Sequence, residues 1–264
     1  MVKGKGIAQM IFNRIKPAMK KLRVFGLLAM MFCKSMFLTE ATAQQMATPH
    51  NGLSAKEKSI ISIASLTAKG DFGKLKTELS KGLEVGLTIN EIKEVLIHLY
   101  AYCGFPRSIR GLQTFMEVLI DRKAKGISDS EGKEASPIRQ DTSKYQRGKK
   151  ILGELTKMPQ PDKLSGYSAF APVIDTLLKE HLFADIFERD ILTYAQRELV
   201  TISVIATIGK ADPMLQSHLR ISLNVGITPA QLQEFVTVIK STAGKKEAKA
   251  AQAVLNSVLK TPGI

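Results

Sequence analysis

The chain contains an internal repeat, and this feature constrains its fold more than any other. Residues 53–104 (copy one) return in recognisable form as residues 192–244 (copy two). The correspondence is clearest in two segments: Leu53-Ser54-Ala55-Lys56-Glu57 matches Leu192-Thr193-Tyr194-Ala195-Gln196, and Val85-Gly86-Leu87-Thr88 matches Val225-Gly226-Ile227-Thr228. A repeat of this length indicates one structural unit built twice. We therefore expect two copies of one arrangement, packed about a pseudo-two-fold axis.

The two copies differ at a small set of positions. Copy one carries His98, Tyr102 and Cys103, followed by Pro106; the corresponding residues near copy two are Val238, Thr242, Ala243 and Lys246. Glu94, in contrast, returns as Glu234. Residues that both copies share are expected to belong to the scaffold. The polar residues that only copy one has are the first candidates for chemistry.

Each copy has the pattern of helices. Four capping boxes, in which a hydroxyl and an acid or amide satisfy free amides at a helix start, open the first and third helices of both copies. They are Ser54-x-x-Glu57, Thr88-x-x-Glu91, Thr193-x-x-Gln196 and Thr228-x-x-Gln231. The first helix of each copy is apolar on nearly every side, which is typical of a helix at the centre of a bundle. The period-two alternation of strands is missing from the sequence, so we predict an all-α fold.

The first 43 residues have the pattern of a secretory signal peptide. A basic segment, Met19-Lys20-Lys21-Leu22-Arg23, precedes an apolar run from Val24 to Phe32 that is too short to span a bilayer, and Ala41-Thr42-Ala43 resembles a cleavage site. Translation from Met19 would give this peptide an ordinary length. We expect an exported protein, periplasmic or secreted, without stable membrane association after cleavage. The alternative is an uncleaved N-terminal anchor.

Removal of that segment changes the charge of the chain. The full sequence has a net charge of +14, but residues 1–43 hold eight of the 38 basic and one of the 24 acidic side chains. The mature chain would carry 30 basic and 23 acidic side chains, a net charge of +7 spread along the sequence. This excess does not have the clustering of a nucleic-acid-binding surface. One cysteine, Cys103, would remain, and the sequence has no Cys/His cluster with metal-ligand spacing.

The composition divides the mature chain into three parts. Residues 44–124 form the first repeat, with a fourth helix expected from about Arg107 to Ala124. Residues 125–146 are polar, contain Gly, Ser and Pro, and are predicted to be a linker. Residues 147–264 form the second repeat. Helical segments are expected from about Arg147 to Met158-Pro159 and, as one or two helices, from Phe170 to Arg189.

One run of residues in copy one resembles the carboxymuconolactone decarboxylase family. The run is Thr88-x-x-Glu91-Ile92-x-Glu94-x-Leu96-x-His98-x-x-x-Tyr102-x-Gly104-x-Pro106, and copy two adds Arg197-Glu198-Leu199, His218-Leu219 and Gly226-Ile227-Thr228. The resemblance implies the all-helical fold of alkylhydroperoxidase D. It also implies a homo-oligomer, since family members form trimers or hexamers; a tandem chain could form a trimer or a dimer.

The family contains two kinds of chemistry, and the motif distinguishes them. The alkylhydroperoxidase D branch uses a Cys-x-x-Cys pair with a glutamate before it and a histidine after it. Glu91 and Cys103 fit that pattern, but Pro106 stands at the second cysteine and Arg110 at the histidine. Without a resolving thiol the chain cannot run a disulfide relay by itself. The decarboxylase branch, which acts on a lactone dicarboxylate, has the Tyr-x-Gly-x-Pro found here.

These arguments select eight candidate site residues, with no cofactor and no metal. The predicted catalytic residues are His98, Cys103, Glu91 and His218, and the predicted substrate-binding residues are Glu94, Tyr102, Arg107 and Arg110. Proton transfer is the expected task of His98. Six of them also have a structural explanation. His98 could be a surface or interface histidine, Cys103 a buried thiol, Glu91 a capping acid and Glu94 a glutamate shared with copy two. Arg107 and Arg110 could be solvated charges at a helix start.

Three functions remain open from the sequence. The first is a lyase of the decarboxylase type that acts on a small carboxylated lactone or related acid. The second is a thiol-dependent peroxidase in which Cys103 reacts and an external thiol resolves. The third is a helical module that binds a small molecule without catalysis. In each case the expected partner is a small molecule rather than nucleic acid.

Overall fold

A computed structural model describes residues 52–138 and 141–260 of the protein. All regular elements in these two ranges are helices, as the sequence predicts. The predicted signal peptide, with Met19 and the cleavage site, lies outside the described residues. Export therefore stays a prediction.

Copy one forms four helices and is followed by a fifth. They are α1 (Ala55–Lys69), α2 (Phe72–Glu84), α3 (Ile89–His98), the single turn α4 (Tyr100–Cys103) and α5 (Phe105–Ala124). Gly104 separates α4 from α5 with φ of +82°, a backbone angle that favours glycine. Helix α5 begins two residues earlier than the sequence suggests, with Pro106 in its first turn.

Copy two repeats this order after a connecting segment. Its helices are α9 (Tyr194–Ile208), α10 (Asp212–Asn224) and α11 (Pro229–Thr242), and α12 (Lys245–Lys260) follows. All four predicted capping boxes are present, each with its hydroxyl and its acid or amide bonded to the backbone. The repeat in the sequence is therefore a repeat of helix starts as well as of apolar residues.

The two first helices, α1 and α9, pack against each other at the centre of one hydrophobic core. The exchange between the copies is reciprocal, because α1 also packs against α11 while α9 packs against α3 and α4. Most residues of both central helices are buried, which agrees with their nearly continuous apolar sequence. Charged side chains are unexpected in such a helix, yet Arg197 and Glu198 are both fully buried in α9.

Residues 127–138 run without regular structure along the start of α3. The free amides of Ile89 and Asn90 donate to the carbonyls of Ser130 and Glu131, at 2.9 Å in each case. Arg122 holds this segment in place through a two-bonded contact with Asp129. The predicted linker is therefore docked on the bundle over this part of its length.

The remaining connection forms a small helical unit. Helix α6 (Lys144–Thr156) begins three residues before the predicted Arg147, because Ser143 caps it, and it ends before Met158-Pro159 as expected. Two single turns follow, α7 (Gly166–Phe170) and α8 (Pro172–Thr176), and then a π-helix from Leu177 to Phe187. The region from Phe170 to Arg189, expected to hold one or two helices, therefore holds two, α8 and the π-helix, after the end of α7. Helix α6 and the π-helix share a second hydrophobic cluster that also takes in Ile221 of α10.

Candidate functional site

A buried ion-pair cluster lies where α3 meets α9. Both oxygens of Glu94 accept hydrogen bonds from Arg189, at 3.0–3.1 Å, and Oε1 also accepts from Nη2 of Arg197 at 2.7 Å. Nη2 of Arg197 donates in addition to the carbonyl of Arg189 at 2.6 Å. Glu94 and Arg197 are fully buried. Two guanidinium groups therefore share one carboxylate, and the geometry fixes all three side chains.

His98 lies one turn after Glu94 and is fully buried, with partners on both ring nitrogens. Its Nδ1 is 3.1 Å from Nη1 of Arg197, and its Nε2 is 2.9 Å from Oγ1 of Thr201. Burial, and then the charges of Arg197 and His218, hold the pKa of His98 well below its usual range. A neutral ring with Nδ1 as acceptor is the form that fits these partners, because a guanidinium can only donate.

Tyr102 continues the line of polar groups from His98. Its hydroxyl is 3.2 Å from Oγ1 of Thr201, and its ring stacks on that of His98 with centroids 5.6 Å apart. The edge of the Tyr102 ring also meets His218, at a centroid distance of 6.1 Å. Burial, together with the negative charge of Glu198, raises the pKa of Tyr102 far above its usual range. The phenol is therefore a neutral hydrogen-bond donor at physiological pH.

His218 comes from α10 and is held by a buried carboxylate. Its Nδ1 is 2.9 Å from Oε2 of Glu198, and the histidine side chain keeps 15% of its surface exposed whereas Glu198 has none. Oε1 of Glu198 has no hydrogen-bond partner within the described part of the chain, and the same is true of the buried Nε of Arg197. A buried polar atom without a partner is costly, so such atoms commonly mark a place that a ligand or water fills.

Aromatic side chains of the connecting unit cover one side of this group. The ring of Phe187, at the end of the π-helix, lies 5.1 Å from that of His98, and the guanidinium carbon of Arg197 is 5.9 Å from the Phe187 centroid. Tyr100 and Tyr102 pack against the same apolar cluster between α6 and the π-helix. The polar groups of the site therefore lie between the ion-pair cluster and an apolar cover.

Cys103 closes the same helical stretch but has different surroundings. The thiol is half-buried, and its Sγ donates to the carbonyl of Leu99 at 3.3 Å. Burial raises the pKa of the Cys103 thiol to about 11, and the nearby charge of Arg107 offsets only part of this effect. Reactive cysteines have the opposite shift, towards the thiolate.

Three further predicted residues lie outside the buried group. Glu91 completes the capping box of α3 and approaches Lys56 at 3.6 Å. Arg107 donates to the carbonyl of Ala68, and Arg110 extends along the exposed side of α5 towards Glu117. Of the eight predicted site residues, the structure brings together Glu94, His98, Tyr102 and His218.

Four members of the group, Arg189, Arg197, Glu198 and Thr201, are not among the sequence-predicted site residues. Arg197 and Glu198 belong to the family motif in copy two, but the sequence does not predict them as site residues. Their signal was available, since adjacent opposite charges interrupt a helix that is otherwise apolar on all sides. Arg189 had no such signal, because it stands in a connecting segment whose path the sequence does not define.

Residues 52–138 and 141–260 lack two further features. Groups of three or more His, Cys, Asp or Glu side chains that could hold a metal ion do not occur there. In the same ranges, helices long and apolar enough to cross a membrane are also lacking.

The comparisons with known proteins agree with the repeat. The model of the carboxymuconolactone decarboxylase family matches residues 36–115 and again residues 172–257, which together are more than half of the chain. The second match contains Arg189, Arg197, Thr201 and His218, and the first contains Glu94, His98 and Tyr102. An all-helical bundle of two such repeats is the alkylhydroperoxidase D-like fold. The chain belongs to the carboxymuconolactone decarboxylase family.

Two relatives show how much of the chain one repeat accounts for. A 4-carboxymuconolactone decarboxylase of Acinetobacter baylyi is 26% identical over 125 residues, which are 47% of this chain and 92% of the relative. An uncharacterized protein of Methanocaldococcus jannaschii is 28% identical over 90 residues, 34% of this chain and 84% of the relative. Each is matched over most of its own length and over less than half of this chain.

Proposed function

We propose that this protein is an enzyme that transfers a proton at a carbon atom next to a carbonyl group, in a small carboxylated lactone or a related acid. The observation that carries the proposal is His218, held by the buried carboxylate of Glu198 and facing Tyr102. Histidine is the side chain that ordinarily gains and loses a proton near neutral pH. A second group that fixes its orientation is typical of a catalytic acid or base.

The proposed reaction is the loss of carbon dioxide. The bond between the ring carbon and the carboxylate breaks, and its electron pair moves through the ring double bond into the lactone carbonyl group to form an extended enolate. Tyr102, neutral at working pH, donates a hydrogen bond to the enolate oxygen as charge develops there. His218 then donates a proton to the carbon next to the lactone carbonyl, and the solvent returns a proton to its side chain, which keeps 15% of its surface exposed. The balance is a carboxylate and one proton in, a C–H bond and carbon dioxide out.

This assignment moves proton transfer from His98, where the sequence places it, to His218. Both nitrogens of His98 already have protein partners, and burial holds its pKa low. His218 has a protein partner at Nδ1, and its side chain keeps 15% of its surface exposed. In this proposal His98 acts through its neighbours, while His218 and Tyr102 contact the substrate.

The peroxidase alternative receives less support from the surroundings of Cys103. Its pKa of about 11 leaves the thiol protonated at neutral pH, and its Sγ is engaged with a backbone carbonyl. Binding without catalysis is the remaining alternative, and an assay separates it from the lyase. The name of the Acinetobacter baylyi relative supports a carboxylated lactone as the first substrate class to test.

The test is an assay for decarboxylation of 4-carboxymuconolactone by the purified protein. The release of carbon dioxide is the quantity measured. We expect turnover, with the product carrying one deuterium at the ring carbon next to the lactone carbonyl when the reaction runs in D₂O. His218→Asn should lower turnover by about 10²–10⁴-fold, the usual contribution of a general acid or base. His181→Asn is the matched control, because His181 is exposed and paired with Asp185 on the π-helix.

Two outcomes would contradict this proposal. Full turnover by His218→Asn would remove His218 from the reaction. Binding of the lactone by the wild-type protein without any turnover would favour the binding module over the enzyme.

We also propose that the mature protein is an exported homo-oligomer. The exposed side of α5 supports this, because Phe105, Ile109, Met116 and Ile120 form an apolar face that is 49–65% exposed. Light scattering on the purified protein should give the mass of a dimer or trimer. Phe105→Ser combined with Met116→Ser should lower that mass, and a monomeric wild-type protein would contradict the proposal.

A further inference from the structure

We propose that Arg197, His98 and Thr201 form a directional hydrogen-bond relay that sets Tyr102 as the donor to a substrate oxygen. The inference rests on the proposed function, since it concerns how the hydroxyl of that site is held. Three successive contacts of 3.1, 2.9 and 3.2 Å link the guanidinium to the phenol. Arg197, His98 and Thr201 are fully buried, and they act as positioning residues.

The direction of the relay begins at Arg197. A guanidinium has donors only, so Nη1 must donate to Nδ1 of His98, which must therefore be unprotonated. The remaining ring proton is then on Nε2, and it points at Oγ1 of Thr201. The tautomer of His98 follows from the position of one arginine. Glu94 and the carbonyl of Arg189 in turn fix that arginine, because they accept hydrogen bonds of 2.7 and 2.6 Å from its Nη2.

Thr201 has one proton and two acceptors within reach. Oγ1 lies 3.0 Å from the carbonyl of Arg197 and 3.2 Å from the hydroxyl of Tyr102. When Thr201 donates to the carbonyl, Tyr102 donates inward to Thr201. When a ligand oxygen accepts the Tyr102 proton, Thr201 can rotate and donate to Tyr102, and all four groups then donate in the same direction. Hydrogen bonds aligned in this way strengthen one another.

The charged and titratable groups around Tyr102 favour this role. Glu198 and Arg197 are the charges that act on it, His218 faces the edge of its ring, and His98 stacks on it. Burial and the charge of Glu198 keep the phenol protonated. A buried phenol beside a carboxylate can stabilise an oxyanion only if its proton points away from the protein, and this is what the relay supplies.

The first test needs no substrate. The chain has four histidines, so the ¹⁵N and ¹H signals of their rings can be assigned by substitution. We expect His98 in wild-type protein to be neutral, with its proton on Nε2, from pH 8 down to pH 6.5, the ordinary pKa of a histidine ring. A positively charged ring in that range, or a proton on Nδ1, would overturn the relay even if the protein proved to be an active lyase.

The second test measures the donor itself with 4-nitrophenolate, whose oxygen imitates an enolate. Thr201→Val keeps the shape of the side chain and removes the hydroxyl, whereas Thr201→Ser keeps the hydroxyl. We expect Thr201→Val and Tyr102→Phe to weaken binding by roughly ten- to a hundredfold, the effect of one hydrogen bond to a charged group. Thr201→Ser should bind as the wild type does, and so should Ser62→Ala, the matched change in copy one.

The outcomes separate the relay from the proposed function. Full binding by Thr201→Val together with loss in Tyr102→Phe would leave Tyr102 as a donor and overturn the relay. Wild-type binding in Tyr102→Phe, or no binding by the wild type, would overturn both the donor role and the relay. Circular dichroism of each variant confirms that it is folded. Loss of lactone turnover in His218→Asn with unchanged phenolate binding would support the lyase independently.

Discussion

The two repeats contain the same ion pair in opposite surroundings. Arg197 pairs with Glu94 across the copies, and the corresponding residues of the other half, Lys58 and Glu234, pair at 2.8 Å. The first pair has no exposed surface, whereas the side chains of the second are 43% and 37% exposed. The ion pair is therefore part of the repeated scaffold. Only one of its two versions has been enclosed and extended into a group of polar residues.

The residues around the two ion pairs also correspond, but titratable side chains in one half are replaced by other residues in the other half. Where one half pairs Glu198 with His218, the other bonds Ser59 to Glu78 at 3.0 Å. His98 and Tyr102 correspond to Val238 and Thr242, and Thr242 bonds to Ser65 instead. The scaffold contacts are kept in both halves, but the titratable groups are concentrated in one. A tandem chain can thus specialise one site while its second copy supplies helices.

Substitution of the glutamate in each ion pair should give the largest difference in stability between the two pairs. Glu94→Gln leaves the buried Arg197 without its counter-charge, which is expected to lower the free energy of unfolding by about 3–5 kcal/mol. Glu234→Gln removes the exposed version, where the expected loss is at most about 1 kcal/mol. Urea denaturation of both variants measures the difference. Equal losses would mean that the two pairs do not differ in the way their burial indicates.

Conservative substitution of the basic residue in each ion pair should give a smaller and more specific difference in stability. Arg197→Lys keeps the charge but cannot reach Glu94, His98 and the Arg189 carbonyl together, so Nδ1 of His98 loses its donor. We expect a loss of about 1–3 kcal/mol, the cost of a buried group without its partner. Lys58→Arg should change stability by less than about 0.5 kcal/mol. Chemical denaturation of this pair of variants is the measurement, and a neutral Arg197→Lys would show that His98 does not depend on the fork of the guanidinium.

His98 should make the stability of the protein depend on pH, whereas Val238, the corresponding residue of copy two, cannot. Burial lowers its pKa in the folded protein below the ordinary value of 6.5. The unfolded chain then binds a proton that the folded protein does not, so stability falls as the pH drops below about 6.5 and continues to fall until the lower folded pKa is reached. The slope from one such group is about 1.4 kcal/mol per pH unit. Unfolding of wild type and His98→Gln between pH 7.5 and 5 measures it, and parallel curves would contradict the prediction.

The sequence predicted the repeated elements far better than the site. Helix starts were predictable because each capping box is a local pattern, and the central helices because they are apolar on all sides. Contacts between the copies were not predictable in this way. Glu94 meets Arg197 and Arg189 only because α3 of one copy packs against α9 of the other, and no spacing along the chain encodes that approach. The π-helix was missed for a similar reason, since its residues read as an ordinary buried helix.

The residues that only copy one has lie in two different surroundings. His98 and Tyr102 lie in the buried group, whereas the Sγ of Cys103 donates to a local carbonyl. Arg197 lies in the group although its counterpart is the basic residue Lys58, so a comparison of the copies does not predict it. A residue can belong to the scaffold in both halves and to the site in one.

Cys103→Ser should have the smallest effect, and it tests whether every difference between the copies matters. Ala243 at the corresponding position shows that a helix of this scaffold can end without a sulfur atom. A serine hydroxyl can replace the thiol as donor to the Leu99 carbonyl, so we expect a stability change within about 0.5 kcal/mol and unchanged lactone turnover. With a pKa of about 11, the thiol should also react slowly with Ellman's reagent at pH 7.5. The rate is taken as the difference between wild type and Cys103→Ser, so that Cys33 cancels. Fast labelling, or loss of a peroxide-reducing activity in the serine variant, would restore the peroxidase reading and make Cys103 a functional difference between the two halves.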